Sequence, residues 1–127
     1  MKLLIDTQIL LWSLMKPKKL SGLGRELVSA PENTVFLSAV SMWEIRIKES
    51  IGKLQLPLKF AEQVAELGFE DLPLTTQHTE WLRELPLLHR DPFDRILIAQ
   101  AKAEGLKLLS ADSRLAEYGE FVIPVRG

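Results

Sequence analysis

The 127 residues include no cysteine and only two histidines, His78 and His89. Without cysteine there is no disulfide framework, no thiolate metal site and no cysteine nucleophile, which suits a reducing compartment. Two histidines leave little for a zinc site or a Ser–His pair. A formal charge of −1 provides no overall field to draw in nucleic acid, so such contacts must come from local lysines and arginines. No apolar run approaches the roughly 20 residues that span a bilayer. The opening "MKLLIDTQILLW" begins as a signal peptide would, but Asp6 interrupts it and no small-residue cleavage pattern follows. The expectation is a soluble, unprocessed, cytoplasmic protein with no membrane contact.

Hydrophobic residues make up 46% and charged residues 26%, an ordinary balance for one globular core, and no repeat or linker divides residues 1–127. Short apolar runs that fit buried strands, "KLLI" (2–5), "TVFLS" (34–38), "LKLLS" (106–110) and "FVIPV" (121–125), alternate with helical spacing. Helices are expected at 7–15, within "GLGRELVSAPE", at 38–54 up to about Gly52, at 58–68, in "TTQHTEWLRELP", at 91–105 and in "DSRLAEYG". "FEDLPL" reads as an edge strand, because Pro73 is awkward in a central one. Strands alternating with helices imply an α/β fold with a parallel sheet covered on both faces. In such sheets ligands bind beyond the carboxyl ends of the strands, near the point where strand order reverses.

Two aspartates fall at that edge. Asp6 follows "KLLI" directly, and Asp112 follows "LKLLS" by one residue. In "RDPFDRILIAQA" (90–101) Asp91 suits the N-cap and Pro92 the first helical position. Asp94, in the first turn, shares a face with Leu97, Ile98 and Ala101 and so heads an apolar stripe. In the helix 38–54 the spacing assigns the apolar arc to Val40, Trp43, Ile47 and Ile51. Glu44 projects within about 40° of Val40 and about 20° of Ile51, which places it partly buried at the edge of the core. An isolated buried carboxylate costs several kcal/mol unless it is neutralised, paired or bound to a metal.

Each acid has a plain structural role open to it: Asp6 and Asp112 as helix caps, Asp94 as a dipole partner, Glu44 as a snorkelling edge residue. Together at one sheet edge they repel, and ionising all of them requires a cation. Oxygen donors without Cys or His favour Mg²⁺ or Mn²⁺ over zinc, and such an ion suits phosphoester chemistry. Arg90, Arg95 and Arg114 flank the acids, where they can meet phosphates or simply balance charge.

"LLIDTQILLW", "SAVSMWEIRIKESIGKLQLP", "RDPFDRILIAQA" and "LLSADSRL" together resemble the PIN-domain ribonucleases, and among these the VapC-type toxins of prokaryotic toxin–antitoxin pairs. The resemblance runs through essentially the whole chain. It implies a PIN-like three-layer fold, a central parallel sheet flanked by helices, with an acidic pocket for Mg²⁺ or Mn²⁺. It also implies that Asp6 and Asp94 are the principal metal ligands. Glu44 and Asp112 would complete the site directly or through water, and Thr7 and Ser110 would support it. Asp91 matches a position outside the metal shell. Gln8 stands where relatives often carry His, which weakens any role for this neighbour in catalysis. The resemblance further implies an RNA substrate, a cognate antitoxin whose tail enters the groove, and a homodimer. Trp12, Leu14, Trp43 and Trp81 are apolar candidates for such contacts, or plain core, and "KPKK" (16–19) is a candidate for the RNA backbone or a solvated loop.

The expected activity is metal-dependent endoribonuclease cleavage of an RNA phosphodiester, leaving a 5′-phosphate and a 3′-hydroxyl. None of the four motifs contains a histidine to act as general base. One rival is an aspartyl-phosphate-type phosphatase with Asp6 as nucleophile, but that chemistry usually wants a second Asp where Gln8 stands. The other is a non-catalytic adaptor of the same fold binding RNA or protein, which would have no reason to keep four mutually repelling acids.

Overall fold

The computed structural model describes residues 1–125. Five strands form one parallel sheet: β1 (Lys2–Ile5), β2 (Thr34–Ser38), β3 (Glu70–Leu72), β4 (Lys107–Ser110) and β5 (Val122–Pro124). Their spatial order is β3-β2-β1-β4-β5. The chain moves outward from β1 to β3 and then returns to the other side of β1, so strand order reverses between β1 and β4. Ile5 stands beside Leu37 on one side and Leu109 on the other. The residues that follow these three strands therefore emerge together at one edge, which is where such sheets place their ligands.

Six helices cross between or flank the strands: α1 (Thr7–Met15), α2 (Gly22–Ser29), α3 (Ala39–Ser50), α4 (Phe60–Glu66), α5 (Thr76–Glu80) and α6 (Pro92–Glu104). Alternation along the strands divides the core into two layers. Leu3, Ile5, Val35, Leu37 and Leu109 join α1 and Phe60 on one face. Leu4 and Leu108 join Leu97, Ile98 and Leu115 on the other. Leu3, Leu4 and Ile5 are fully buried, each contributing roughly 1.5–3 kcal/mol of hydrophobic stabilisation. This is the sequence expectation of a sheet covered on both faces.

Several helices depart from the expected bounds: of the expected 58–68 only Phe60–Glu66 is helical, and the helix expected in "DSRLAEYG" is a 3₁₀ turn, Ser113–Tyr118. The segment from Thr76 breaks after Glu80 into a 3₁₀ turn, Trp81–Glu84, ahead of Pro86. Helix α3 ends at Ser50, and Gly52 adopts φ +77°, a conformation that a side chain would disfavour. The face that α3 buries also differs from the expected arc. Val40, Ser41, Glu44 and Ile45 are buried, whereas Trp43 is 58% and Ile51 59% exposed. The physical reason is polar: Thr7 at the start of α1 bonds Ser41 and Glu44, so this face of α3, rather than the more apolar one, turns toward the sheet edge.

His78 is accounted for by packing. Its Nδ1 accepts from the Thr75 N–H at 3.1 Å, and its Nε2 lies 2.8 Å from Glu104, which ties α5 to α6. The other histidine has a different position.

Candidate active site

At the carboxyl edge of the sheet a cleft of about 580 Å³ is lined by Asp6, Thr7, Glu44, Lys48, Asp94, Asp112 and Arg114, among others. All four acids singled out from the sequence thus reach one cavity, with Thr7 in its wall and Ser110 directly behind Asp6.

Asp6 leaves β1 as the N-cap of α1. Its Oδ1 accepts from the Ile9 N–H at 2.9 Å, the usual reason for Asp at this position. Its Oδ2 accepts from the Ser110 hydroxyl at 2.8 Å and the Ala111 N–H at 2.9 Å, both at the end of β4. The residue is only 5% exposed. Burial pushes its carboxyl above the ordinary range, while these three hydrogen bonds pull it down and the charge of Glu44 adds a smaller upward push.

Asp94 enters from α6. Asp91 caps that helix, its Oδ1 accepting from the N–H groups of Phe93 and Asp94 at 2.8 and 3.2 Å, so Asp91 is a structural residue as its sequence position suggests. Burial, then the negative charges of Asp91 and Asp6, push Asp94 up to about 6, against an opposing pull from His89. Asp112 follows β4 and begins the 3₁₀ turn Ser113–Tyr118. Arg114 grips both its oxygens, Nε on Oδ1 at 3.0 Å and Nη2 on Oδ2 at 2.8 Å, and this pairing holds Asp112 below the usual carboxylate range.

Glu44 is 6% exposed and paired on both oxygens. The Thr7 hydroxyl donates to Oε1 at 2.7 Å, and the Lys48 ammonium donates to Oε2 at 2.7 Å. The Thr7 oxygen also lies 3.0 Å from that of Ser41. The sequence marks Glu44 as partly buried, and the structure buries it. Arg46 pairs with Glu49 at 2.8 Å, while Lys48, one helical turn beyond Glu44, is its true partner.

Sequence reasoning missed His89. Its neighbours Leu87 and Leu88 are exposed, yet its side chain is turned inward with 14% exposure. Nε2 lies 3.0 Å from Asp94 Oδ2 and 3.8 Å from Asp112 Oδ2. Only the short spacing to Asp94 in "HRDPFD" could have signalled this, since a loop residue carries no periodicity.

The donor set fits a divalent cation. His89, Asp94 and Asp112 each bring one donor atom within 4.8 Å of the others. Asp6 contributes negative charge to Asp94 from the same cleft, and its Oδ1, with one protein hydrogen bond, retains a lone pair. A cation relieves the crowding that raises Asp94, and oxygen donors with one imidazole suit Mg²⁺ or Mn²⁺, the nitrogen favouring the latter.

The family model of the PIN domain matches residues 3–120. The chain belongs to the PIN domain family. Among solved structures this PIN domain is similar to a chain of VapBC2 from Rickettsia felis, a complex bound to a DNA fragment from its promoter. That match has a TM-score of 0.72 and 17% identity over 98% of this chain and 99% of that one. It is also similar to a chain of a toxin–antitoxin complex from Klebsiella pneumoniae, with a TM-score of 0.65 and 17% identity over 94% of each chain. At such identity these likenesses speak to the fold, which agrees with the three-layer PIN-like architecture read from the sequence. No curated protein sequence matches this PIN domain.

Proposed function

We propose that this PIN domain, read as one nuclease unit over residues 1–127, is a Mg²⁺- or Mn²⁺-dependent endoribonuclease. The observation that carries the reading is the convergence of Asp6, Asp94 and Asp112 in one cleft where strand order reverses, with Asp94 pushed up to about 6 by its buried, anionic surroundings. Asp6 and Asp94 would hold the ion, with Asp112 and Glu44 completing the acidic wall of the cleft. When bound, the ion lowers the pKa of water and offsets charge on phosphate and leaving oxygen.

The chain's own groups do the rest. The Ser110 hydroxyl and Ala111 N–H fix Asp6 from β4, so its carboxylate cannot swing away. The imidazole of His89 orients Asp94 through the 3.0 Å contact and would offer a nitrogen donor to a bound ion. Lys48 and Arg114 supply positive charge at the cleft for an incoming phosphate. In the hydrolysis, water oxygen bonds to phosphorus, the bond from phosphorus to the 3′ oxygen breaks, and that oxygen takes a proton. The products carry a 5′-phosphate and a 3′-hydroxyl.

The similarity to chains of toxin–antitoxin complexes supports the further reading of a toxin held by a cognate antitoxin, and a homodimer in the cytoplasm belongs to the same proposal. Among the described residues no helix is long and apolar enough to cross a membrane.

The test is cleavage of a mixed RNA pool by purified protein with Mg²⁺ or Mn²⁺ against EDTA, beside Asp94→Asn and beside a small phosphomonoester. Metal-dependent RNA cutting that disappears in the variant is expected. Hydrolysis of the phosphomonoester alone would replace the reading with a phosphatase. Inert wild type in every metal, while folded, would leave the adaptor.

A further inference from the structure

We infer that Lys48 is the cation that contacts the RNA phosphate at this site, and that Glu44 is its positioning residue. The inference rests on the endoribonuclease reading and assigns Glu44 a task other than ligating metal.

Both oxygens of Glu44 are engaged by the chain itself, Oε1 by the Thr7 hydroxyl at 2.7 Å and Oε2 by the Lys48 ammonium at 2.7 Å. The carboxylate is buried, whereas the lysine side chain is 46% exposed and lines the cleft with Asp6 and Asp94. This is a one-sided arrangement. The acid is locked from behind, and the base reaches from it into the cavity. Glu followed four residues later by Lys is the favoured order on a helix, so α3 presents the pair without strain.

A lysine ammonium has three N–H donors. One is used on Glu44, and two remain for a phosphate oxygen. A free lysine gives up considerable rotamer entropy when it orders on a ligand. Here the ordering is done by the fold, because Thr7 fixes Glu44 and Glu44 fixes Lys48. The other cation of the cleft, Arg114, is 73% exposed and spends Nε and Nη2 on both oxygens of the less buried Asp112. Among the described residues of this cleft, Lys48 is therefore the positive charge anchored on a buried carboxylate, and such preorganisation stabilises charge developing on a transferred phosphoryl group.

The experiment compares Lys48→Met, Lys48→Arg, Glu44→Gln and the double variant Lys48→Met/Glu44→Gln. The lysine is surface-facing and Gln is isosteric with Glu, so all four are expected to fold, which circular dichroism checks. RNA cleavage by Lys48→Met is expected to fall roughly ten- to a hundred-fold in kcat/KM, the loss of one charge-assisted hydrogen bond. Lys48→Arg should recover most of it. Glu44→Gln should lose activity in the same direction, and the double variant should be no worse than Lys48→Met, because the two act as one unit.

Two readouts separate this from a structural or metal-binding role. Binding of a ten-nucleotide single-stranded RNA is followed against salt in the Asp94→Asn background, which removes turnover. There Lys48→Met should reduce the slope of log K against log salt by about 0.7, one phosphate contact on a single strand. Calorimetric titration with Mn²⁺ should show that Glu44→Gln still binds the ion, within about tenfold of wild type, since the change removes a nearby charge and no donor atom. Glu44→Gln that loses Mn²⁺ binding, with RNA affinity and salt slope untouched in Lys48→Met, would make Glu44 a metal ligand and overturn the inference. Wild type that binds Mn²⁺ but neither cuts nor holds RNA would remove the endoribonuclease reading, and this inference with it.

Discussion

His89 Nε2 and Asp94 Oδ2 stand 3.0 Å apart, joined across the loop that leads into α6. The contact lowers an Asp94 carboxyl that burial, Asp91 and Asp6 all push upward. His89→Ala is therefore expected to raise the Asp94 carboxyl further above its level of about 6 and shift metal binding to higher pH. Mn²⁺ titrations at pH 6 and pH 8 check this. The variant should lose more affinity at pH 6 than at pH 8, and an equal loss at both would show that the imidazole acts by some route other than the Asp94 proton.

The same carboxyl makes stability depend on pH. In the folded protein Asp94 protonates near 6, against about 3.9 in an unfolded chain. The native state therefore binds more protons between these values, and this group's contribution falls as pH rises from about 4 to about 6. Above that window an ionised Asp94 is a net cost to the fold. Asp94→Asn should remove about 1–2 kcal/mol of the difference in urea stability between pH 4 and pH 8 in EDTA, after allowance for partial solvent screening. An unchanged difference would contradict the raised carboxyl.

Ser110 and Thr7 each donate a hydroxyl to a buried carboxylate, the first to Asp6 and the second to Glu44. Ser110→Ala and Thr7→Val leave an acceptor short of a partner and should each cost about 1–3 kcal/mol. Urea titration near neutral pH is the measurement. Ser110→Ala should also weaken Mn²⁺ binding, because Asp6 loses one of the bonds that favour its charged form.

Helix α3 offers a test of packing. Ile45 is fully buried, while Ile51 is 59% exposed. Ile45→Ala should destabilise by about 2–5 kcal/mol, whereas Ile51→Ala should stay within about 0.5 kcal/mol. Thermal melts of the two variants side by side decide the point, and comparable losses would restore the arc that hydrophobic spacing alone suggests.

That arc shows where sequence reading stops. The strands were legible because short apolar runs bounded by turn and capping residues have few other uses in a chain of this kind. The acids were legible because each sits at a fixed offset from a strand end or helix start, and topology brings those offsets to one edge. The orientation of α3 was not legible, because Trp43 and Ile51 outweigh Ser41 and Glu44 in hydrophobicity. What turns the helix is hydrogen bonding to Thr7, which lies 37 residues from Glu44 in the chain. Nor was His89, whose direction depends on the path of a loop. Trp43 itself finds an aromatic neighbour in Phe93, edge to face at 5.3 Å, a contact between helices that spacing within α3 cannot reveal.

The hydrogen bond from Ser110 to Asp6 spans 104 residues. The first acid of the cleft has one local bond, from the Ile9 N–H, and takes its other two from the end of β4, so β4 must insert beside β1 before Asp6 acquires its full set of partners. During synthesis from the N-terminus, a growing chain carries Asp6 and Glu44 long before it carries Ser110, Ala111 and Asp112. A chain that stops short of β4 therefore has an unclosed sheet and no assembled cleft, whichever of Asp6, Glu44 and Asp94 it carries. The cleft, and any chemistry it performs, is thus assembled only once β4 and the residues that follow it have joined the sheet.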